Sequence, residues 1–499
     1  MLPRVKFIYC FILLLSTQAV AKAQSIDGAY NPYRQYTIPE LQEDVDALYQ
    51  TMKEINPSLY NYRSKRQVDS MFRALSGNIR KPMTATEARK ELIVPAVVFL
   101  QDLHYVVYPS PAEEEYLRGN SLYFPFDIKI SNGRMYIWHN LSADSMIADK
   151  GRTEIHAING ERAFQVIDRL EQYIVTDGNS KEAKRRQDLE ESFRSYYALA
   201  YGREEQFQLS IIPQGESKPK NVTIAALKWE AINKIKDRRY NEPPQLPGLE
   251  TRDEAKLGIL SMKTFTPELE GVGAKKLDYF IDSAFAILEQ KGIEKLVLDL
   301  RGNIGGRLNY GGKLYSYLTN KPFTYLDRVE VAYPHTFKYI NNTSLGRTYL
   351  TNTYGIRQNE DSVYTLENFQ YAHEQKPAAH PYTGKLYVLT DGYTLSTTAL
   401  LCAMLRAYRP DTYFIGEETG GAYGNCSGML TLLNLPNTGI RVYFPIRKYV
   451  SLAIKEPGKN KGYTDRGILP DTEVQTTIEG LMNGTDEVLI EAMNQAMKK

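Results

Sequence analysis

The chain has 499 residues, of which 42% are hydrophobic and 24% are charged, and its formal net charge is +2. This length predicts two to four domains of an ordinary water-soluble protein. The balanced charge, with no basic cluster, argues against a nucleic-acid partner.

The N-terminus has the pattern of a secretory signal peptide. "MLPRVK" is basic, "FIYCFILLLS" is an apolar run too short to span a bilayer, and "AKAQ" offers a cleavage site after Ala23. Removal of residues 1–23 would delete Arg4, Lys6 and Lys22 and change the formal charge from +2 to −1. No later stretch is long and apolar enough to span a membrane. We therefore expect an exported protein, periplasmic or extracellular.

Residues 24–115 predict a small helical domain. Thr37 and Glu40 have the spacing of a capping box, and an Asn-Pro pair ends the following helical pattern. The apolar residues of that pattern recur at steps of three and four: Leu41, Val45, Leu48, Met52 and Ile55. A second box, Thr84 with Glu87, precedes "ELIVPAVVFLQDLHYVV".

Residues 116–235 contain short β-like segments and predict a second, α+β module. "GRTEIHAINGERAFQVIDRL" reads as a strand, an Asn-Gly turn and a helix, which resembles a PDZ domain. About 35 further residues, "EQYIVTDGNSKEAKRRQDLEESFRSYYALAYGREE", follow this segment as an insertion before the last strand. Any α+β module with an Asn-Gly turn would have a similar pattern.

A proline-rich linker is predicted over residues 236–252, followed by an α/β domain over residues 253–499. "KLGILSMKTF", an amphipathic helix and "KLVLDL" form a strand–helix–strand pattern, which predicts a parallel sheet. The pattern recurs with "KLYVLT" at 385–390, a helix from about Ser396 to Tyr408, and "TYFIG" at 412–416.

Two of the predicted strands end in segments that could carry chemistry, because ligands of such sheets bind beyond the carboxyl ends of the strands. In "LTDGYTLSTTALL", Ser396 stands where a helix begins. It could be a simple N-cap that accepts an amide from Thr398 or Ala399. It could instead be a nucleophile at a helix N-terminus, where the dipole favours negative charge.

The other strand end, "VLDLRGNIGG", would supply oxyanion donors for that nucleophile. Gly305 and Gly306 expose backbone amides at a sharp turn, although glycine pairs are also common in ordinary turns. We expect the Thr397 N–H and a Gly305 or Gly306 N–H to form the oxyanion hole.

Four motifs in order resemble the C-terminal processing and tail-specific peptidases, including their tricorn and retinoid-binding-protein-like relatives. "VLDLRGNIGG" matches Asp-Leu-Arg-x-Asn-x-Gly-Gly, and "VLTDGYTLSTT", "FIGEETGGAYG" and "DRGILPDTEV" follow in the family's order. Upstream, "LQDLHYVV" resembles the Leu-x-Asp-x-His stretch of tricorn-type members. The resemblance implies an α/β fold with a ClpP/crotonase-like protease core.

The sequence departs from family members that use a Ser–Lys dyad. The position of the dyad lysine holds Ala422, and no lysine occurs between Lys385 and Lys448. A serine nucleophile needs a base, so the resemblance to tricorn-type members implies His104 for Ser396. A lone histidine after an apolar run could also be purely structural.

A carboxylate should orient the His104 imidazole. The position of the corresponding glutamate in tricorn-type members leads to Asp465, with Glu456 and Asp102 as competitors. Asp299 and Arg301 are expected to hold the oxyanion turn structurally. These residues complete the predicted site, for which we expect no metal and no cofactor.

The mature chain would keep two cysteines, Cys402 and Cys426, and the sequence leaves open whether they pair. Neither cysteine has zinc-site spacing with a histidine.

We expect an exported serine endopeptidase that cleaves peptides or protein tails through an acyl-enzyme on Ser396. One alternative is a non-catalytic protein that binds a peptide or an apolar ligand on the same scaffold. Another is an esterase with the same catalytic residues. No sequence pattern indicates an oligomeric state or a particular substrate.

Overall fold

The structure, a computed structural model, describes residues 30–180, 182–240, 246–267, 273–332, 338–339, 355–359 and 363–498. The predicted signal peptide lies outside these residues. Within them, no helix combines the length and the apolar character that a membrane crossing requires.

The N-terminal segment is helical, as predicted. Its elements are α1 (Ile38–Ile55), α2 (Lys65–Gly77), α3 (Ala85–Ala88), a π-helical turn (Arg89–Ile93), α4 (Val94–Leu100), β1 (Val106–Tyr108) and α5 (Pro111–Asn120). Both predicted capping boxes form, at the starts of α1 and α3. The apolar faces of α1 to α4 join the same buried cluster as the C-terminal core, so these helices pack directly on the domain that carries Ser396.

The middle module contains a six-stranded and a two-stranded antiparallel sheet and has its own apolar cluster. Its strands are β2 (Leu122–Tyr123), β3 (Phe126–Ser131), β4 (Arg134–Asn140), β5 (Thr153–Ile158), β6 (Glu161–Arg162), β7 (Gln206–Pro213), β8 (Lys220–Ala225) and β9 (Leu227–Lys228), and its helices are α6 (Ala163–Glu171), α7 (Glu182–Tyr201) and α8 (Trp229–Arg239). Most of the predicted insertion forms α7, whose Leu189, Phe193 and Tyr197 pack into the cluster. Two long strands, β7 and β8, follow the insertion instead of a single last strand.

The C-terminal part is the predicted α/β domain, with a six-stranded sheet of its own, a second six-stranded sheet that includes β1 of the N-terminal segment, and a small two-stranded sheet. Its strands are β10 (Gly248–Arg252), β11 (Leu257–Ser261), β12 (Lys295–Asp299), β13 (Phe323–Thr324), β14 (Leu326–Val331), β15 (Ile356–Gln358), β16 (Tyr364–Leu366), β17 (Glu374–Gln375), β18 (Lys385–Thr390), β19 (Tyr413–Gly416), β20 (Asn425–Asn434), β21 (Arg441–Ser451) and β22 (Thr472–Glu473). Its helices are α9 (Ala274–Gln290), α10 (Leu308–Leu318), α11 (Ser396–Tyr408), α12 (Ile478–Asn483) and α13 (Glu487–Met497). Of the predicted linker, residues 236–239 belong to α8 and residues 248–252 form β10.

One sheet has the order β10-β11-β12-β18-β19-β22, in which all pairs except β10 with β11 are parallel. Both predicted strand–helix–strand units are therefore confirmed. The other sheet has the order β1-β21-β14-β16-β15, and β20 pairs with β21. Because β12 and β18 are parallel neighbours, with Asp299 opposite Leu389, the segments that follow them emerge side by side.

Candidate active site

Ser396 lies at the first turn of α11, where the chain leaves β18. The Thr398 and Ala399 amides donate to the Leu395 carbonyl, and Leu395 is the N-cap residue. The interpretation of Ser396 as a side-chain N-cap is therefore wrong. Ser396 has a φ of +51°, which is uncommon for a residue with a side chain and holds its hydroxyl at the sharp turn.

His104 faces this hydroxyl from the loop that follows α4. Gln101, with a φ of +56°, ends α4 and turns the chain toward the site. His104 Nε2 lies 3.3 Å from Ser396 Oγ. Its Nδ1 lies 3.1 Å from Asp102 Oδ1, and its backbone N–H donates to the same oxygen over 3.0 Å. The structure thus brings Ser396 and His104 together and adds Asp102, in the order that general-base activation of a serine requires.

Asp102, and not Asp465, is the carboxylate against the imidazole, which corrects the expectation from sequence. The Asp465 carboxylate accepts a hydrogen bond of 2.7 Å from the Asn179 side chain. It lines a pocket of about 200 Å³ together with Arg328 and Lys448. The loop of Asp465 also pairs with the middle module through the Asn179 amide, which donates to the Asp465 carbonyl over 2.8 Å, and within the described residues no hydrogen bond joins Asp465 to the imidazole.

Asp102 is itself positioned by hydroxyl groups. The Ser427 Oγ lies 2.5 Å from Asp102 Oδ2 and 2.7 Å from Ser58 Oγ. Asp102 and His104 are only 2% and 4% exposed, so the pair is shielded from water. A buried carboxylate with both oxygens engaged can hold the imidazole in one orientation and one tautomer.

Burial and neighbouring groups act in opposite directions on the pKa of His104. Burial lowers the pKa of His104, but the Cys426 sulfur and the Asp102 carboxylate raise it, and the net pKa is well above its usual value. Such surroundings stabilise the imidazolium that forms when a serine transfers its proton.

The two predicted oxyanion segments meet directly. The Thr397 hydroxyl donates to the Gly306 carbonyl over 2.8 Å. The Gly305 N–H, however, already donates to Asn303 Oδ1 over 3.0 Å. Among the described residues, no group accepts a hydrogen bond from the Gly306 N–H or the Thr397 N–H. The expectation for Gly305 is therefore corrected: the available donors are the amides of Gly306 and Thr397.

Asn303 connects the two segments, a role that sequence reasoning did not assign. Its buried side-chain oxygen accepts from the Gly305 amide and from the Thr398 hydroxyl, and its amide donates to the Met262 carbonyl. Its backbone carbonyl accepts from the Leu395 amide. The oxyanion turn and the nucleophile turn are therefore fixed to one side chain.

We expect Gly305→Ala to lower kcat/KM for peptide hydrolysis by about 100-fold, since displacements near 1 Å have effects of this size. An added Cβ would lie 2.7 Å from Ser396 Cβ and 2.9 Å from the Thr397 nitrogen, so the nucleophile turn must move. Gly302→Ala is the matched control, because Gly302 also has a positive φ, of +73°, but its added Cβ would meet nothing within 4 Å. Equal activities of the two variants would contradict the proposed close contact.

Asp299 and Arg301 hold the oxyanion turn, as predicted. Arg301 binds Asp299 and Asp486 with its guanidinium group. Burial raises the pKa of Asp299, but Arg301 and Lys263 together outweigh this effect, and the pKa is lowered to about 2. The Gly302 amide donates to the Asp391 carboxylate over 3.0 Å, which ties this turn to the end of β18.

Asp177 extends from the middle module into the site, and no sequence pattern indicated it. Its carboxylate accepts from the Leu103 amide over 3.1 Å and from the Ala422 amide over 3.3 Å. Burial, followed by the charge of Asp102, raises the pKa of Asp177 to about 7. A ligand atom of Asp177 lies within 4.8 Å of one from Asp102 and one from His104.

The two cysteines of the domain are buried and unpaired. Cys402 lies within α11, whereas Cys426 lies on β20 beside the site. Cys426 Sγ is 3.3 Å from Ser396 Oγ and 3.8 Å from His104 Nε2. The sequence had suggested only a disulfide as a role for Cys426.

Comparison with known proteins identifies the domain. Residues 256–474 match the family model of peptidase family S41. A structure of mature CPAF complexed with lactacystin matches 92% of this chain and 98% of its own, with 13% identity and a TM-score of 0.60. A second structure of mature CPAF matches 92% and 99%, with 14% identity and a TM-score of 0.59.

A putative peptidase from Parabacteroides merdae matches 92% of this chain and 97% of its own, with 16% identity and a TM-score of 0.45. A search of curated proteins found no match. At these identities, the two mature CPAF structures establish a shared fold, while the family match covers the residues that carry Ser396 and the oxyanion turn.

Proposed function

We propose that this chain, whose residues 256–474 match the model of peptidase family S41, is an exported serine endopeptidase with a Ser396–His104–Asp102 triad. Its substrates are peptides or protein tails. The export proposal is supported by the signal-peptide pattern of residues 1–23.

The contact between His104 Nε2 and Ser396 Oγ carries the proposal. His104 accepts the Ser396 proton as Oγ attacks the substrate carbonyl, and it later donates that proton to the leaving amine. Asp102 keeps the proton on His104 Nδ1 and stabilises the imidazolium. The Gly306 and Thr397 amides receive the developing oxyanion, and water then hydrolyses the acyl-enzyme.

The residue at the position of the dyad lysine favours a histidine base over a lysine base. Ala422 stands there, and its amide is bound by Asp177. The Asp177 carboxylate also holds the amide of Leu103, the residue next to His104. The segment that would carry a lysine in the dyad enzymes therefore supports the loop of the histidine here.

Peptide cleavage distinguishes this function from its alternatives. The chain from residue 24 onward would be incubated with a peptide, its C-terminally amidated form, and an ester of the same acyl group. We expect the same internal peptide bond to be cut in both peptides, as mass spectrometry of the products would show. Ser396→Ala is the control for contaminating proteases. Hydrolysis of the ester alone would favour an esterase, and no hydrolysis by folded protein would favour a binding protein.

A further inference from the structure

Cys426, His104 and Ser396 form a compact group of three potential metal ligands. Cys426 Sγ lies 3.3 Å from Ser396 Oγ and 3.8 Å from His104 Nε2, and the remaining side of the triangle, Nε2 to Oγ, is 3.3 Å. All three side chains are at most 6% exposed. The mechanism above uses Ser396 and His104 and leaves the thiol without a role.

We propose that these three residues form an inhibitory site for Zn²⁺. The inhibitory consequence rests on the proposed function, because a metal bound here would occupy both the nucleophile and its base. The binding itself rests only on the geometry of the ligands.

Two of the three distances agree with one face of a tetrahedral zinc site, and the third, from Cys426 Sγ to Ser396 Oγ, would lengthen by a few tenths of an ångström from 3.3 Å. Zn–S bonds of about 2.3 Å and Zn–N bonds of about 2.0 Å place sulfur and nitrogen ligands about 3.6 Å apart. The 3.8 Å between Cys426 Sγ and His104 Nε2 is close to this value. An oxygen ligand would lie about 3.3 Å from the nitrogen, which is the distance of Ser396 Oγ. The fourth position would hold water.

The surroundings of His104 and Cys426 also supply the second-ring hydrogen bond and the negative charge that a zinc site needs. Metal-bound histidines usually donate their second ring N–H to a carboxylate, which Asp102 provides over 3.1 Å. A thiolate from Cys426 and the Asp102 carboxylate together balance the charge of Zn²⁺ in this buried place. Binding would release the thiol proton, which now faces the Ser427 carbonyl over 3.0 Å.

The neighbouring group of Asp102, His104 and Asp177 is a weaker alternative. Both oxygens of Asp102 are engaged, by His104 and by Ser427. Both oxygens of Asp177 accept backbone amides. A metal there would have to break these hydrogen bonds, whereas the Cys426 site leaves them intact.

Two readouts test the proposal on the chain from residue 24 onward. Binding is followed by the Co²⁺–thiolate absorption band, with Co²⁺ as a probe for Zn²⁺. Inhibition is followed by the rate of reaction with a fluorophosphonate, relative to the metal-free rate of the same variant. Cys426→Ala removes the sulfur ligand, and Cys402→Ala is the matched control because Cys402 is buried and unpaired but lies inside α11.

We expect the thiolate band in the wild type and in Cys402→Ala, and its loss in Cys426→Ala. The Zn²⁺ concentration for half-inhibition should rise by about 100-fold or more in Cys426→Ala, since even the loss of a residue behind a metal ligand costs 10- to 100-fold in affinity. A chelator should restore the original rate.

An unchanged band or unchanged zinc sensitivity in Cys426→Ala would overturn the proposal. These outcomes do not depend on whether the proposed function is correct. A thiolate band that depends on Cys426, in a protein that never reacts with the fluorophosphonate, would support the metal site and contradict the peptidase mechanism. A Ser396 that reacts with the fluorophosphonate, in a protein that binds no metal, would support the peptidase mechanism and contradict the metal site.

Discussion

Ser396→Ala is expected to lower kcat/KM for peptide hydrolysis by about 10⁴-fold or more, with no loss of fold. The Ser396 hydroxyl lies 3.3 Å from His104 Nε2, and the next residue of its turn, Thr397, carries one of the two oxyanion donors. Alanine keeps the backbone of the turn, so the Gly306 and Thr397 amides remain in place. The rate constants of purified variants on one peptide would measure the effect.

Ser261→Ala is the matched control for this substitution. Ser261 is a partly buried serine at the end of β11, in the same sheet as β18, the strand that leads to Ser396. Its hydroxyl makes no hydrogen bond within the described part of the chain. We expect its activity to remain within a few-fold of wild type, as is usual where no interaction is lost. A small effect of Ser396→Ala, similar to that of the control, would remove Ser396 from the mechanism.

The second large effect is expected from Asp102→Asn, which should lower kcat/KM by about 10³- to 10⁴-fold. An asparagine fills the same space but can present its amide to His104, which would place the proton on the wrong ring nitrogen. The imidazolium would also lose its charged partner. Thermal unfolding of the variant, measured beside its activity, would separate this effect from a loss of structure.

Asp465→Asn provides the matched comparison for Asp102→Asn. Asp465 is the carboxylate that the family pattern favoured, yet its side chain binds Asn179. We expect a change of no more than a few-fold. A larger loss of activity in Asp465→Asn than in Asp102→Asn would support the family pattern, with Asp465 as the partner of His104. The loop of Asp465 would then adopt a different position in the active enzyme.

Local sequence signals were sufficient for the elements and for the nucleophile. The capping box at Thr37 starts α1, and the breaks after "VLDL" and "KLYVLT" place the oxyanion turn and Ser396 at adjacent strand ends. These features depend on backbone propensities and on the pairing of parallel strands, which a short stretch of sequence encodes. The identity of His104 came from its motif and from the missing lysine.

The partners of His104 could not be derived in the same way. Asp102 was a weaker candidate than Asp465, although an aspartate often accepts the backbone amide two residues further on, as it does from His104, and this local contact could have ranked it higher. Asp177 comes from a module whose packing on the site has no sequence signature. The engagement of the Gly305 amide depends on the buried side chain of Asn303, which is a tertiary contact within a tight turn.

Fluorophosphonate labelling of the chain from residue 24 onward, with peptide mapping, tests the central claim most directly. The wild type, Ser396→Ala and His104→Ala would be compared at equal folded concentration. The Ser396–His104 mechanism predicts a label on Ser396 in the wild type, no label in Ser396→Ala, and a strongly slowed reaction in His104→Ala. A label on another residue, or no label on folded wild-type protein, would contradict it.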